Sequence, residues 1–309
     1  MSRALVTAAG LAVLALALLS GAASERLLLL NLILIYSIFA IGYDLAFGVT
    51  GLLSLSHAAF FGVGGFALAN LTRLHWPFEA ALLAAGVLAA GLAALIAVLS
   101  LRLTGIFFAL TTLAFGQLCF IIASTRMRAI TGGTDGLSGV PRPHWPGLDF
   151  TSDQAFLGYN AVLFLILLGT AWRIRQSPFG QVLVGIRLNA PRIEQLGWRV
   201  NRFRTSIFAI SGFYAGIAGA LLAALLFYVS PETMNWTTSG DVLIMCILGG
   251  VGTLFGPVLG VAVFEVLRDE LGKVTDHWYG LLGAIFVVIT IFAPGGLMGA
   301  LQSVRARLR

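Results

Sequence analysis

Acidic side chains inside long apolar stretches are the first candidates for chemistry in this sequence. Asp44 closes one apolar run, and Asp241 and Glu265 lie in two others. In a membrane span an ionisable group costs about 2.5–3.5 kcal/mol on insertion scales, so it usually faces a pathway or a partner. For Asp44 a pathway position and a hydrated position near the membrane surface are equally supported. Asp241 and Glu265 are predicted either in the bundle interior or at the interface.

A second group of candidates consists of small residues that interrupt apolar runs, together with His57. A helical span cannot keep its hydrogen-bond ladder through such runs, so we predict two broken-helix elements near a pathway. Close packing of helices by small residues is the alternative. His57 could hydrogen-bond Asp44 or a neighbouring helix, and a helix-capping role is favoured over contact with a solute. The interrupting residues are Gly48, Gly51 and Ser54 in one run and Gly249, Gly250, Gly252 and Pro257 in the other.

Signatures of enzyme chemistry are missing from the sequence. Gly272-Lys273 is followed by Val274 and lacks the preceding glycine of a phosphate-binding loop. The four histidines are far apart, and the two cysteines, Cys119 and Cys246, lie in apolar segments. We therefore predict that the chain is not an enzyme, and that it has no catalytic residue, no metal site and no cofactor of its own.

The elements that must position these residues follow from composition. Hydrophobic residues make up 59% of the 309 residues and charged residues 10%, against about 45–50% and 25% in soluble domains. This excludes an ordinary soluble globule and predicts an all-α, polytopic membrane bundle that forms one domain over residues 1–309. The ten predicted apolar segments are 4–20, 27–47, 58–72, 78–100, 105–125, 155–172, 204–228, 238–250, 257–271 and 278–293.

Basic residues predict the orientation of the bundle. With ten crossings, 12 of the 19 Lys and Arg residues fall on the side of both termini, which places both termini in the cytoplasm. The charge is explained by topology, so no nucleic-acid partner is predicted. Residues 126–154 then form an extracytoplasmic loop. Segment 4–20 is predicted as a retained span, although a cleaved secretory signal is the alternative.

The cytoplasmic connection 173–203 is the most informative hydrophilic stretch. Pro191 suits the first turn of a helix, with Asn189 or Ala190 at the cap, and Gly197 suits its end. These signals predict a short helix on the membrane surface among basic residues. It is either a lipid-attracted amphipathic loop or a docking helix for a cytoplasmic partner, and the residues alone do not decide between the two.

The connection 173–203 and five other stretches together resemble the LivM-type permeases of branched-chain amino acid ABC importers. The resemblance runs from about residue 30 to residue 300. Three positions depart from the family pattern, namely Asp44, Ser56 and Ala190. The five stretches are 45–62, 105–116, 131–139, 248–260 and 294–299.

The resemblance implies a permease subunit in a bacterial inner membrane that moves branched-chain or other hydrophobic amino acids by ATP-driven alternating access. ATP would be used by partner subunits. The implied partners are a second LivH-like permease, two cytoplasmic ATPase subunits, a periplasmic solute-binding protein and the lipid membrane. The residues predicted to couple to the ATPase are Arg187, Asn189, Arg192, Glu194 and Gly197.

The resemblance also implies that the outer side meets the binding protein. We expect a flexible outer loop there, with Thr131, Gly132, Gly133 and Asp135 as docking residues. Only Asp135 is acidic in this loop, so a calcium cage is not predicted. Two alternatives for the function stay open, an ion-coupled secondary transporter that uses Asp44 or Glu265, and an ABC permease for another small solute such as urea or an amide.

Overall fold

The computed structural model describes residues 24–145, 148–274, 277–292 and 295–299, and within these ranges the chain is an all-α bundle. Segment 4–20 and the terminal arginines used for the topology lie outside the described residues. The helices are α1 (Ser24–Thr50), α2 (His57–Arg73), α3 (Phe78–Ser100), α4 (Ile106–Ile121), α5 (Arg128–Thr131), α6 (Asp153–Gln176), α7 (Pro178–Gln195), α8 (Val200–Leu226), α9 (Trp236–Gly249), α10 (Gly256–Val274) and α11 (Trp278–Phe292).

Five of the described helices are long and apolar enough to cross a membrane, namely α1, α3, α4 with the π-helical turn Ile122–Arg126, α6 and α8. This confirms the predicted class of membrane helical bundle. The other described helices that match predicted segments are shorter, with α9 spanning only 14 residues. The number of ten spans therefore stays a prediction.

Helices α1 and α8 form the centre of the bundle. In each, 78% of the most apolar 18-residue stretch is buried, against 28–39% in the other three long helices. Small residues let neighbouring helices approach this centre closely. At Gly64 of α2, for example, an added Cβ would collide with the backbone of Gly216 in α8. The central position of α1 explains why Asp44, near its C-terminal end, is enclosed by other elements.

One end of the bundle carries the loops between α4 and α6, and we name it the loop end. Two short antiparallel ladders lie there, β1 (Leu137–Ser138) with β4 (Tyr228–Val229) and β2 (His144–Trp145) with β3 (Leu148–Asp149). A buried arginine, Arg142, donates hydrogen bonds to the Thr151 carbonyl at 2.6 Å and to Asp153 Oδ1 at 2.8 Å. The described part of the stretch 126–154 is therefore a folded cap on the bundle.

The expectation of a flexible outer loop at 131–139 is wrong. Thr131 is buried and donates a 2.6 Å hydrogen bond to the Ala123 carbonyl. Gly132 and Gly133 adopt positive φ angles of 75° and 67°, which lets the chain fold back against the end of α4. Of the four predicted docking residues, only Asp135 is exposed.

Candidate functional site

Helix α7 bears out the predicted cap signals. The helix is kinked at Asn189, whose φ of −159° and ψ of 89° are non-helical. The Asn189 Oδ1 accepts a hydrogen bond from the Arg192 amide at 3.1 Å, so Asn189 caps the second part of α7. Gly197 ends this part with a φ of 89°.

The first part of α7 was not predicted. Residues 178–188 are helical too, and they begin with Pro178 in the first turn after the capping residue Ser177. The Ser177 hydroxyl accepts a hydrogen bond from the Gly180 amide at 3.2 Å. The Ser-Pro pair is the signal in the sequence that could have identified this start.

The two predicted helix breaks meet in space. Helix α1 ends at Thr50 and is followed by Gly51 at a φ of 77°, and α9 ends at Gly249 before Gly250 and Gly252, at φ angles of 117° and 76°. The Asp44 Oδ1 accepts a hydrogen bond from the Gly252 amide at 2.7 Å. Prediction from sequence found both breaks, but not their contact.

Two arginines complete this contact. Arg175, at the end of α6, lies with Nη1 3.8 Å from Asp44 Oδ2 and donates a hydrogen bond to the Gly252 carbonyl. Arg187, in α7, donates to the Gly48 carbonyl. We name this set the junction and define it as Asp44, Gly48, Arg175, Arg187 and Gly252.

Asp44 is only 3% exposed, so the hydrated alternative for this residue is wrong. Its charge is compensated inside the protein by Arg175 and by a backbone amide. Arg175 was not predicted as a site residue, because a position after an apolar segment does not reveal which acid it faces. The junction thus joins α1, α6, α7 and the turn between α9 and α10.

Of the two hydrogen-bond partners predicted for His57, the structure shows the neighbouring helix and not Asp44. His57 is the first residue of α2 and is fully buried, and its Nε2 is hydrogen-bonded to Ser211 Oγ of α8 at 2.7 Å rather than to Asp44. The Tyr43 ring packs edge-on against it at 4.7 Å. Tyr43 also donates a 3.0 Å hydrogen bond to the Ser54 carbonyl. These bonds fix the segment between α1 and α2 beside the junction.

The remaining predicted pathway residues lie at the start of α10. Pro257 is buried in its first turn, and Gly249 packs directly on Gly256. The Thr253 hydroxyl accepts a hydrogen bond from the Gly256 amide at 3.0 Å and so caps α10. Gly249, Gly250 and Pro257 therefore lie on either side of the turn that carries the junction residue Gly252.

The segment 188–198, which includes the second part of α7, presents apolar side chains to the outside. Leu188 is 81% exposed, Leu196 68% and Trp198 47%. Arg192 and Glu194 are exposed beside them. Exposed apolar residues grouped among charged ones are typical of a protein interaction surface. We name Leu188, Arg192, Glu194, Leu196 and Trp198 the α7 surface.

Glu265 and Asp241 lie towards the loop end. Glu265 is 2% exposed, so it belongs to the interior, and Arg268 Nη1 lies 3.7 Å from its Oε1. Asp241, near the start of α9, is half-buried. Neither residue takes part in the junction, which lies at the other end of α1.

Comparisons with known proteins agree with this architecture. The family model described as "Branched-chain amino acid transport system / permease component" matches residues 26–290. The high-affinity branched-chain amino acid transport system permease protein LivM of Escherichia coli (strain K12) is 30% identical over 87% of this chain and 68% of its own length. The protein of the same name from Salmonella typhimurium is 29% identical over 86% of this chain and 68% of its own length.

More distant similarity covers only part of the chain. The autoinducer 2 import system permease protein LsrC of Klebsiella pneumoniae is 29% identical over 55% of this chain and 51% of its own length. No solved structure matches the chain. The family match spans α1 to α11 almost completely, including the junction and α7. The chain therefore belongs to the family of permease components of branched-chain amino acid transport systems.

Proposed function

We propose that this chain forms one half of the translocation pathway of an ATP-driven importer for branched-chain amino acids, in which α7 transmits the motion of an ATPase to the pathway. The names of its relatives support the solute class. The other half would be a second, LivH-like permease. Two ATPase subunits would bind at the α7 end, and ATP would be used by them alone.

The junction is the observation that carries this proposal. Arg187 of α7 bonds to Gly48, while Arg175, one residue before the Gln176 end of α6, bonds to Gly252. A displacement of α7 together with the adjoining end of α6 would therefore act on both helix breaks at the same time. Broken helices line the pathway in many transporters, because their free backbone groups must face protein or water. A change in their position can therefore open or close the pathway. Alternating access needs two arrangements of the helix breaks. The ATPase can switch between them only if its different states bind one arrangement more tightly than the other.

The α7 surface supplies the contact with the ATPase in this proposal. Its apolar side chains would enter a groove on the partner, and Arg192 and Glu194 would fix the register. Capping by Asn189 sets the direction of this part of α7 relative to the part that bears Arg187. The kink thus places the docking residues on one side and the junction arginine on the other.

The orientation in the membrane is part of the proposal. The arginines of 173–204 favour a cytoplasmic position for the α7 end, with both termini on the same side of a bacterial inner membrane. The loop end would then face the periplasm. Asp135, exposed on the tight turn that follows α5, would contact the solute-binding protein, while the buried Thr131 and the glycines hold that turn in shape.

The proposal is tested by exchange of residues 187–197 for a Gly/Ser linker of equal length in the assembled transporter. We expect loss of the co-purified ATPase and of ATP-dependent leucine uptake. The double variant Leu188→Ser/Leu196→Ser should have the same effect with the helix intact. Arg102→Gln, at another exposed position outside the junction and the α7 surface, is the matched control. Uptake by the purified single chain with only a proton gradient would refute the proposal.

A further inference from the structure

An open cleft of about 500 Å³ lies between the N-terminal part of α1 and the C-terminal part of α10. Three leucines of α1 form one wall, namely Leu28, Leu29 and Leu32. Glu265 and Arg268 of α10 lie on the other wall. The cleft is towards the loop end of the bundle and shares no residue with the junction or with α7.

Glu265 gives this cleft its chemical character. The residue is 2% exposed, and its Oε1 has no hydrogen-bond partner among the described residues. Arg268 Nη1 is the closest cation in an ion pair with it, and at 3.7 Å the two atoms are beyond hydrogen-bond distance. A buried acceptor that lacks a donor is costly, and native proteins rarely keep one without a purpose.

The other groups around the cleft supply the complementary features. The Arg268 side chain lines the cleft, is ion-paired with Glu265 and is 42% exposed, so part of it is reachable from the cleft. Leu28 is 41% exposed. Glu25, Asp269 and Lys273 also line the cleft. The cleft therefore offers a buried acid, a partly exposed cation and an aliphatic wall within one small space.

We propose that this cleft binds a ligand with a primary ammonium group, an adjacent acidic group and an aliphatic chain. The ammonium would donate to Glu265 Oε1, the acidic group would contact Arg268, and the aliphatic chain would pack on the leucines. Free leucine or valine has this chemistry, which rests on the proposed function. A phosphatidylethanolamine headgroup has it too, through its ammonium and phosphate.

Equilibrium binding of radiolabelled leucine to the full chain in phosphatidylcholine nanodiscs tests the first source. Glu265→Gln should weaken leucine binding by about tenfold or more, because the ammonium group then donates to a neutral amide oxygen instead of an oppositely charged carboxylate. Glu270→Gln is the matched control, since Glu270 lies on the same helix with a 68% exposed side chain outside the cleft. An equal loss in both variants would overturn the proposal.

Ligand analogues test the same contacts without a variant that could misfold. Leucinol lacks the carboxylate and 4-methylpentanoate lacks the ammonium, so each should compete about tenfold less well than leucine. The lipid source is tested by comparing the melting temperature of the wild-type chain in phosphatidylethanolamine and phosphatidylcholine nanodiscs. A rise with ethanolamine lipid that Glu265→Gln abolishes assigns the cleft to lipid.

If neither leucine nor ethanolamine lipid depends on Glu265, the proposal is overturned. These measurements need no ATPase and no ATP. If α7 did not couple to an ATPase, the binding measurements would be unchanged. If Glu265 bound no ligand, ATP-dependent uptake would still occur, but this cleft would not explain it.

Discussion

The junction and the cleft each contain a buried acid, and the two acids differ in their hydrogen bonding. Asp44, at 3% exposure, accepts a 2.7 Å hydrogen bond from the Gly252 amide and faces Arg175. Glu265, at 2% exposure, has an oxygen without a hydrogen-bond donor among the described residues. The neighbouring arginines lie at almost the same distance, 3.8 Å and 3.7 Å. The difference is therefore the backbone amide and not the ion pair.

This difference separates a structural acid from a binding acid. A buried charge that is paired and hydrogen-bonded holds elements together, although it contributes little net stability compared with an apolar substitute. In the proposal for the cleft, the buried Glu265 acceptor gains its donor when a ligand binds. On this argument, changes at the junction should disturb motion and fold, while changes at Glu265 should disturb binding.

The largest loss of stability is expected at the loop end, from Arg142→Met. Arg142 is buried, and its guanidinium donates to the Thr151 and Leu225 carbonyls and lies over the Phe156 ring at 4.8 Å. Its removal takes this donor away from the buried Leu225 carbonyl and removes the ion pair with Asp153, which should cost about 3 kcal/mol. Thermal unfolding in detergent measures this loss. Arg73→Gln, at an exposed arginine of the same end, should change stability by less than about 0.5 kcal/mol.

If Arg142→Met unfolded at the wild-type temperature, the stretch 126–154 would not be a cap on the bundle. The comparison between the ends would then fail too. The comparison assumes that each buried charge at the loop end either makes its hydrogen bonds within the protein, as Arg142 does, or is available to a ligand, as Glu265 is.

The next largest effect is expected from Gly252→Val at the junction. Gly252 has a φ of 76°, and an added Cβ would lie 3.1 Å from the Gly48 carbonyl oxygen. Strained backbone of this kind costs about 1–3 kcal/mol, and the shift should separate Gly252 from Asp44. We expect ATP-dependent uptake to be lost while the protein still purifies as a folded chain.

Gly91→Val is the matched control for this variant. Gly91 lies within α3, and an added Cβ there has no neighbouring atom within 4 Å. Its stability and uptake should remain close to wild type. Normal uptake by Gly252→Val would show that the two helix breaks do not need to touch.

A smaller effect is expected from the ion pair in the junction. Asp44→Asn keeps an acceptor for the Gly252 amide but removes the charge facing Arg175. Because the Arg175 side chain is 26% exposed, solvent screens the pair, and a coupling energy of only about 1 kcal/mol is expected in a double-mutant cycle with Arg175→Gln. Uptake measured in the same four proteins should show a larger coupling than stability. Strictly additive effects on uptake would contradict the proposed role of the pair.

The junction shows how far the sequence alone could lead. The glycine runs predicted both helix breaks, because glycine frees the backbone and cannot sustain a buried helical ladder. The contact between them depends on the packing of α1 against α9 and α10, which are about 200 residues apart in the chain. Asp44 was a candidate because an acid in an apolar run is rare, but its partner Arg175 carried no signal of its own.

Errors of prediction occurred where local composition and tertiary packing disagree. The glycine-rich stretch 131–139 has the composition of an open loop, yet Thr131 is held by the Ala123 carbonyl and β1 pairs with β4. For His57 a bond to a neighbouring helix was one of the predicted alternatives, but the sequence did not identify its partner Ser211, which lies 154 positions away. In α7, by contrast, capping is a local interaction, and for that reason Asn189 and Gly197 were predicted correctly.

The smallest expected effect tests the helix cap at Asn189 in α7. Asn189→Ala removes the acceptor of the Arg192 amide, which should destabilise the second part of α7 by about 1 kcal/mol. Hydrogen exchange of that amide should become about fivefold faster, while global unfolding stays almost unchanged. Asn201→Ala, at an exposed asparagine in the first turn of α8, is the control. Because the α7 surface follows this cap, affinity for the ATPase should fall together with the protection of Arg192, and an unchanged affinity would separate docking from the kink.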